Sequence, residues 1–185
     1  MKEIVAFFLD RTRGVPFSFA FCKKRGYPEK DYYIRPILKD LLVHSEQWDE
    51  VSIELLSTDL KLLCAAKGHL PLLKKLEIMV PYQHTDSSVP STVANVFEDA
   101  PLLTHVVLRV ISAWRFKFNW SPLTILDFQQ LNNGNFENMC SLLREAINLV
   151  ELTLCNTCTH RPHIEGSELI HLPRLECLSI MIRHF

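Results

Sequence analysis

Large apolar residues recur along this chain in one short pattern. Aligned on their apolar positions, Leu73, Leu76 and Ile78 have counterparts at Leu103, Val106, Leu108 and at Leu123, Leu126, Phe128. The same spacing returns at Leu149, Leu152, Leu154, at Leu175, Leu178, Ile180, and earlier at Trp48, Val51, Ile53. Every aligned position is apolar. The first positions, 48, 73, 103, 123, 149 and 175, lie 25, 30, 20, 26 and 26 residues apart. Four copies also carry a proline at or next to the site two residues before the first apolar one: Pro71, Pro101, Pro122 and Pro173. Polar residues alternate with the apolar ones inside each copy, the period-two signature of a strand with one buried face.

Between the strands the pattern alternates with helical or irregular spacing. Residues 1–13 predict a short helix with Ile4, Phe7 and Phe8 on one face. The apolar run Ile4–Leu9 is short, follows acidic Glu3 and precedes Asp10-Arg11 without a small-residue cleavage site, so it reads as a buried helix turn rather than a leader. After the break at Gly14-Val15-Pro16, Phe17, Phe19 and Phe21 alternate with Ser18 and Ala20 as a half-buried strand. Lys23–Lys30 reads as a turn, and Ile37, Leu38, Leu41 and Leu42 mark a helix over 34–43. Ser57 or Thr58 is placed to cap a helix carrying Leu60, Leu62, Leu63 and Ala66, stopped by Gly68. Residues 81–90 read as a polar loop, and Ser91 or Thr92 can cap a further helix through Phe97. Residues 112–122 are too few and too aromatic for a full helix, so an extended crossover or a single turn is expected there. Asn132-Asn133-Gly134 turns into a helix with Phe136, Met139, Leu142, Leu143 and Ile147; a loop near 156–168 and a short helical turn then lead to the last strand.

A strand, a crossover and another strand repeated in one direction build a parallel sheet. These spacings are close to the leucine-rich-repeat period of about 20–29 residues, whose units stack because one alone cannot bury its apolar side. The expected fold is therefore α/β: a solenoid with a curved parallel β-sheet and helical or irregular crossovers on the convex side. It forms one domain over 1–185, with an N-terminal helix, strand and helix in 1–43 and about six degenerate repeats in 44–185. The turn asparagine of the standard repeat is replaced by Pro81, Ile111, Leu131, Thr157 and Arg183, and no polar capping unit precedes Phe185, so the last repeat reads as uncapped.

In that geometry the alternate residues face outward from the concave side. The expected partner-binding residues are Glu50, Glu54, Lys75, Glu77, His105, Arg109, Asp127, Gln129, Glu151 and Thr153, with Ser52, Met79, Val107, Ile125, Cys155, Cys177, Ser179 and Met181 beside them.

Composition narrows the function classes. The chain is 48% hydrophobic and 22% charged, a folded rather than a disordered profile. A net charge of −1 gives no general attraction to nucleic acid or anionic membrane, and Lys23-Lys24-Arg25 is the longest basic cluster. No apolar run is long enough to span a bilayer. The six cysteines then read as reduced thiols in the cytoplasm or nucleus, where Asn119-Trp120-Ser121 would not be glycosylated.

Catalytic signatures are few. The sequence holds no Gly-rich phosphate loop, Gly-x-Ser-x-Gly elbow or His-Glu-x-x-His, and only five glycines. Cys155, Cys158, His160 and His163 place four zinc-ligand types within nine residues, but lack the gap of about twelve residues that lets a zinc finger fold back. A variable loop with two loose thiols and two surface imidazoles is the plainer reading, and no metal or other cofactor is expected. Trp114, Phe116, Phe118 and Trp120, with Arg115 and Lys117 between them, could stack on bases; alternate aromatics in a short crossover more often pack against a sheet.

Four passages resemble, in order, the leucine-rich-repeat region of F-box-like proteins of mushroom-forming fungi. Phe8-Leu9-Asp10-Arg11-Thr12-Arg13-Gly14-Val15-Pro16-Phe17-Ser18-Phe19 is similar to that family's "leucine, acidic, Arg-Ser-Gly, Pro-Leu-Ser-Leu" passage. His44-Ser45-Glu46-Gln47-Trp48-Asp49-Glu50-Val51-Ser52-Ile53 resembles its "His-Ser-x-x-Trp" strand, and Val96-Phe97-Glu98-Asp99-Ala100-Pro101-Leu102-Leu103 its "Phe-x-x-Ala-Pro-x-Leu" entry. Leu172-Pro173-Arg174-Leu175-Glu176-Cys177-Leu178-Ser179-Ile180 resembles its "Leu-Pro-x-Leu-x-x-Leu-x-Leu" strand. The resemblance implies a non-catalytic protein-binding module, the substrate-recognition part of an F-box-type ubiquitin ligase subunit. The F-box that would precede it is missing from this sequence, so binding to the ligase adaptor is not expected. The alternative reading is a truncated structural fragment without a partner of its own.

Overall fold

The computed structural model describes residues 2–12, 14–21, 34–80, 91–109, 115–131, 136–156 and 169–182. Their architecture is α/β: one open, all-parallel sheet of seven strands whose spatial order is the chain order. The strands are β1 (Phe17–Phe21), β2 (Trp48–Glu54), β3 (Lys75–Met79), β4 (His105–Arg109), β5 (Ile125–Leu131), β6 (Glu151–Asn156) and β7 (Cys177–Ile182). Each strand neighbours only the one before and the one after it, the arrangement of a solenoid. Pairing brings the aligned apolar residues side by side: Val51, Leu76, Val106, Leu126, Leu152 and Leu178 form one row. Ile53, Ile78, Leu108, Phe128, Leu154 and Ile180 form the next.

The strand at Phe17–Phe21, read from sequence as a piece outside the repeats, joins this sheet as a seventh member. Phe19 pairs with Val51 and Phe21 with Ile53, after an irregularity between Phe17 and Phe19.

Backbone chemistry explains the recurring proline. Leu103 N–H donates to the Ala100 carbonyl and Leu175 N–H to that of Leu172, closing turns with Pro101 and Pro173 at their second position. There the locked φ of proline suits the turn and no donor is needed. Leu123 closes the equivalent turn on Trp120, with Pro122 one position later, and Leu149 closes it on Ala146 with no proline at all. Beyond each turn a single carbonyl accepts two amides of the next strand. Lys74 receives those of Thr104 and His105, Thr104 those of Thr124 and Ile125, Thr124 those of Val150 and Glu151, and Val150 those of Glu176 and Cys177. This stack satisfies the backbone at the strand entries. At the exits, Leu55 N–H donates to the Met79 carbonyl and Val80 N–H to that of Arg109. Pro81, Ile111, Thr157 and Arg183 lie outside the described residues.

The crossovers cover one face of the sheet. Leu38, Leu60, Leu63, Val93, Phe97, Phe116, Met139 and Leu143 join the inward strand residues in one buried cluster. Helix α2 (Ile34–Leu42) buries Ile37, Leu38, Leu41 and Leu42, as its spacing predicts. Past Arg115, the described part of the aromatic crossover has neither helix nor strand as far as Leu123, with Phe116, Phe118 and Trp120 buried and Arg115, Lys117 and Asn119 exposed. Packing is thus the fate of these rings; Trp114 lies outside the described residues.

Several expectations are corrected. Helix α1 (Lys2–Thr12) forms, but it is not a buried turn. Ile4, Phe7 and Phe8 are 54–65% exposed, while Leu9 is buried and Val5 half-buried against the core. Residues four apart share a helix face, so docking by Val5 and Leu9 turns the heavier aromatic face outward. The helix expected after Ser57 is 3-10 in form over Leu60–Ala66, and its N-cap is Asp59 with no side-chain capping bond. Gly68 does end it, at φ +75°, a conformation that a side chain would strain. The helix expected through Phe97 shrinks to a 3-10 turn at Ser91–Val93. Helix α3 (Phe136–Glu145) stops before Ile147, which is exposed; Ala146 fills the core instead. No helical turn precedes β7 among the described residues, only a turn at 173–174. The inward positions of β7 are not buried: Leu178 and Ile180 are exposed. The turn at 23–30, the polar loop 81–90, the turn at 132–134 and the loop 157–168 lie outside the described residues.

Asp59 is buried and its Oδ1 lies 2.8 Å from Nε of Arg35, a half-exposed side chain on α2. This ion pair ties the first crossover helix to the second. Arg35→Ala leaves a buried carboxylate without its cation and is expected to cost about 1–3 kcal/mol, water replacing part of the lost interaction. Thermal unfolding measures it: a fall in Tm within about 1 °C of zero would show that the pair contributes nothing.

Candidate functional site

The face of the sheet opposite the crossovers carries no covering layer among the described residues, and the pairing register sorts its side chains into three lateral rows. The first runs Glu50, Lys75, His105, Ile125, Glu151, Cys177. The second runs Ala20, Ser52, Glu77, Val107, Asp127, Thr153, Ser179. The third runs Glu54, Met79, Arg109, Gln129, Cys155, Met181. All ten residues expected to contact a partner lie on this face, because alternate residues of a strand point to the same side and the strands are in register. Ser18 and Ala20 extend the face onto β1. The sequence reading missed them, although the Phe17, Phe19, Phe21 alternation already implied that they point the other way.

Polar contacts link the rows. Ser52 Oγ donates to Glu77 Oε2 at 3.0 Å, and Glu77 Oε1 lies 3.2 Å from Arg109 Nη1. Gln129 Nε2 donates to Asp127 Oδ2 at 3.0 Å. Arg109 Nε and Asp127 Oδ1 are buried without a hydrogen-bond partner. The middle of the face is therefore a braced lattice of side chains rather than a set of free ones, with Glu50 and Glu151 exposed toward its ends. Two members depart from the expected exposure: Val107 is 7% and Cys155 2% exposed. Cys155 was expected to point outward. It keeps that parity but is buried in its row between Gln129 and Met181.

Five carboxylates (Glu50, Glu54, Glu77, Asp127, Glu151) share the face with two fixed cations, Lys75 and Arg109. The face is acidic on a chain that is nearly neutral. A shallow, open depression of about 310 Å³ lies at its β1 end, lined by Ser18, Phe19, Ala20, Glu50, Val51, Ser52, Lys75 and Glu77. This arrangement offers extended contact to another surface. No nucleophile–base pair or oxyanion donor set is assembled among the residues named here.

His105 sits mid-row. Burial holds its pKa below the ordinary 6.5, and the neighbouring Lys75 ammonium pushes the same way against the carboxylates of Glu151, Glu50 and Glu77. The unfolded chain thus binds a proton at His105 more readily than the folded one, so stability rises with pH across this titration. The contribution is complete above pH 6.5 and lost as pH falls through the lower folded value. His105→Gln is expected to flatten part of the decline in Tm between neutral pH and about pH 5. An unchanged slope would remove His105 from the cause.

Of the four metal-ligand types, only Cys155 is described; Cys158, His160 and His163 lie outside the described residues. Among the described residues no three His, Cys, Asp or Glu side chains are grouped to hold a metal ion. Among the described residues Cys64, Cys140, Cys155 and Cys177 form no disulfide, and Cys177 is exposed. No described helix is long and apolar enough to cross a membrane. Comparison with known proteins returned no matching family model, no matching curated protein and no matching solved structure.

Proposed function

We propose that this chain is a leucine-rich-repeat module that binds protein through the uncovered face of its sheet, which forms the concave side of a curved solenoid. One observation carries the reading: the six strands β2–β7 set their outward side chains in continuous rows, the middle one extended onto β1, a broad and braced surface for another protein. The acidity of that face selects a partner with a basic surface and works against nucleic acid, whose phosphates it would repel. The resemblance to mushroom F-box-like proteins supports the narrower role of substrate recognition for an F-box-type ubiquitin ligase, in the cytoplasm or nucleus. In that role the module is not an enzyme and needs no cofactor, and adaptor binding belongs to an F-box.

Charge reversal tests it. Glu50 and Glu151 are exposed near the two ends of the first row, so Glu50→Lys with Glu151→Lys leaves the buried core untouched. Protein captured from a cell extract by the wild-type chain is expected to fall about tenfold with the double variant, the loss of a few charge contacts at an interface. Lys39→Glu, on the exposed side of α2 away from this face, is expected to leave capture unchanged. Equal loss in both variants, or in neither, would reject the open face as the binding surface. A well-folded chain that captures nothing specifically supports the truncated-fragment reading.

A further inference from the structure

The depression at the β1 end of the open face is made by a step in side-chain length. In the second row the residues shorten from Glu77 to Ser52 to Ala20 across β3, β2 and β1. In the first, Lys75 faces Glu50, and Ser18 follows on β1 as a short, exposed residue. Phe19 and Val51 also line the depression but point inward, so they give it backbone rather than apolar side chain. The floor is therefore small and polar, with the Ser18 and Ser52 hydroxyls beside the methyl of Ala20. Sites for whole small molecules start near about 300 Å³ and enclose most of the ligand. This one, at about 310 Å³, is open to solvent and suits a single side chain of a larger partner.

Two carboxylates and one ammonium line it. Glu77 is already held in place: Ser52 Oγ donates to its Oε2 at 3.0 Å, and Arg109 Nη1 lies 3.2 Å from its Oε1. A carboxylate oxygen accepts more than one donor, so Glu77 offers a further acceptor site in a position set in advance. Glu50 is exposed and brings the second carboxylate. Lys75 stands opposite Glu50 on the side away from β1, so a cation lying over Ser18 and Ala20 meets Glu50 with Lys75 one strand further off. We propose that this depression anchors one arginine or lysine side chain of the partner, its methylenes on Ala20 and its cationic head on Glu50, with Ser18 Oγ as a further acceptor. This inference rests on the open face being the binding surface, and adds where on it the partner is held.

The lining decides for a cation over other anchors. An aromatic or aliphatic anchor gains by leaving water for an apolar pocket, and among the outward side chains of this lining only Ala20 is apolar. A carboxylate or phosphate would gain Lys75 and be repelled by Glu50 and Glu77. The wider face favours the same sign, since its five carboxylates exceed Lys75 and Arg109.

Titration of the isotope-labelled chain with acetyl-Gly-Arg-Gly-amide, followed by its amide chemical shifts, tests the anchor directly. A saturable response centred on Ser18, Ala20 and Ser52 is expected, with a dissociation constant of about 1–10 mM, the affinity of one side chain in an open site. The same peptide with citrulline, uncharged and of nearly the same shape, is expected to bind about fivefold more weakly. Ala20→Trp, at an exposed position of β1, fills the depression and is expected to abolish the response with Tm unchanged. Glu50→Gln keeps the shape and is expected to weaken binding about threefold. Shifts spread evenly as far as Thr153 and Ser179, equal binding of the citrulline peptide, or an undiminished response in either variant would overturn the anchor. Capture lost by Glu50→Lys with Glu151→Lys but no peptide response would overturn the anchor and leave the open face as the binding surface. A peptide response with capture unchanged by that reversal would instead reject the reading on which the anchor rests.

Discussion

Trp48→Ala is expected to be among the most damaging single substitutions in this chain, lowering stability by about 3–5 kcal/mol. Trp48 opens β2 and is fully buried. Its indole N–H donates to the Leu41 carbonyl at 3.1 Å, tying the strand to the last turn of α2. Its ring meets Phe19 of β1 edge-on at 5.1 Å. Truncation therefore removes a large apolar volume, empties the junction of three elements and leaves a buried carbonyl one donor short, although His44 N–H also donates to it at 2.9 Å. For a chain of this size the loss corresponds to a fall in Tm of roughly 6–20 °C. Trp48→Phe keeps most of the packing and forfeits the hydrogen bond, so about 1–2 kcal/mol is expected. Denaturant titration of both variants separates the terms. Equal losses would mean that the hydrogen bond, not the packing, fixes this corner.

Phe116→Ala should cost nearly as much, about 3–5 kcal/mol, although the described residues 116–124 around it form neither helix nor strand. The ring is fully buried between Phe97, at 5.9 Å, and Phe118, at 6.0 Å. The series continues through Trp120, 5.1 Å from Phe118, to Phe128 of β5 at 6.4 Å. Lys117 N–H donates to the Ala94 carbonyl at 2.8 Å, which fixes the extended segment to the preceding crossover. These rings do here what a helix does elsewhere in the layer. Lys117→Ala, on the exposed alternate side, should change stability by less than about 0.5 kcal/mol. Thermal and denaturant unfolding would read both. A mild Phe116→Ala would show that the crossover rests on the sheet without holding it.

The outward residues of the open face were legible because strand periodicity is a local property. Once Leu76 and Ile78 are inward, Lys75, Glu77 and Met79 must be outward. The bracing of that face was not legible. The contact between Arg109 and Glu77 joins residues 32 positions apart in the chain, and no sequence spacing announces it. Helix type was misread for a related reason. The apolar residues of Leu60–Ala66 suit an α-helix, but the short span between Glu54 and Lys75 must carry the chain back across the sheet, and the tighter 3-10 coil does so.

Sequence alone determined the spacing of the strands, their order, and which side of each is apolar, because these follow from periods of two and of about 25 residues and from proline at the turns. Tertiary structure alone decided that Phe17–Phe21 joins the sheet, that α1 docks through Val5 and Leu9 rather than its phenylalanines, and that Leu178 and Ile180 are left uncovered. An apolar residue states what it would bury. Whether a neighbour arrives to bury it depends on elements far away in the chain, and only the packed molecule holds that information.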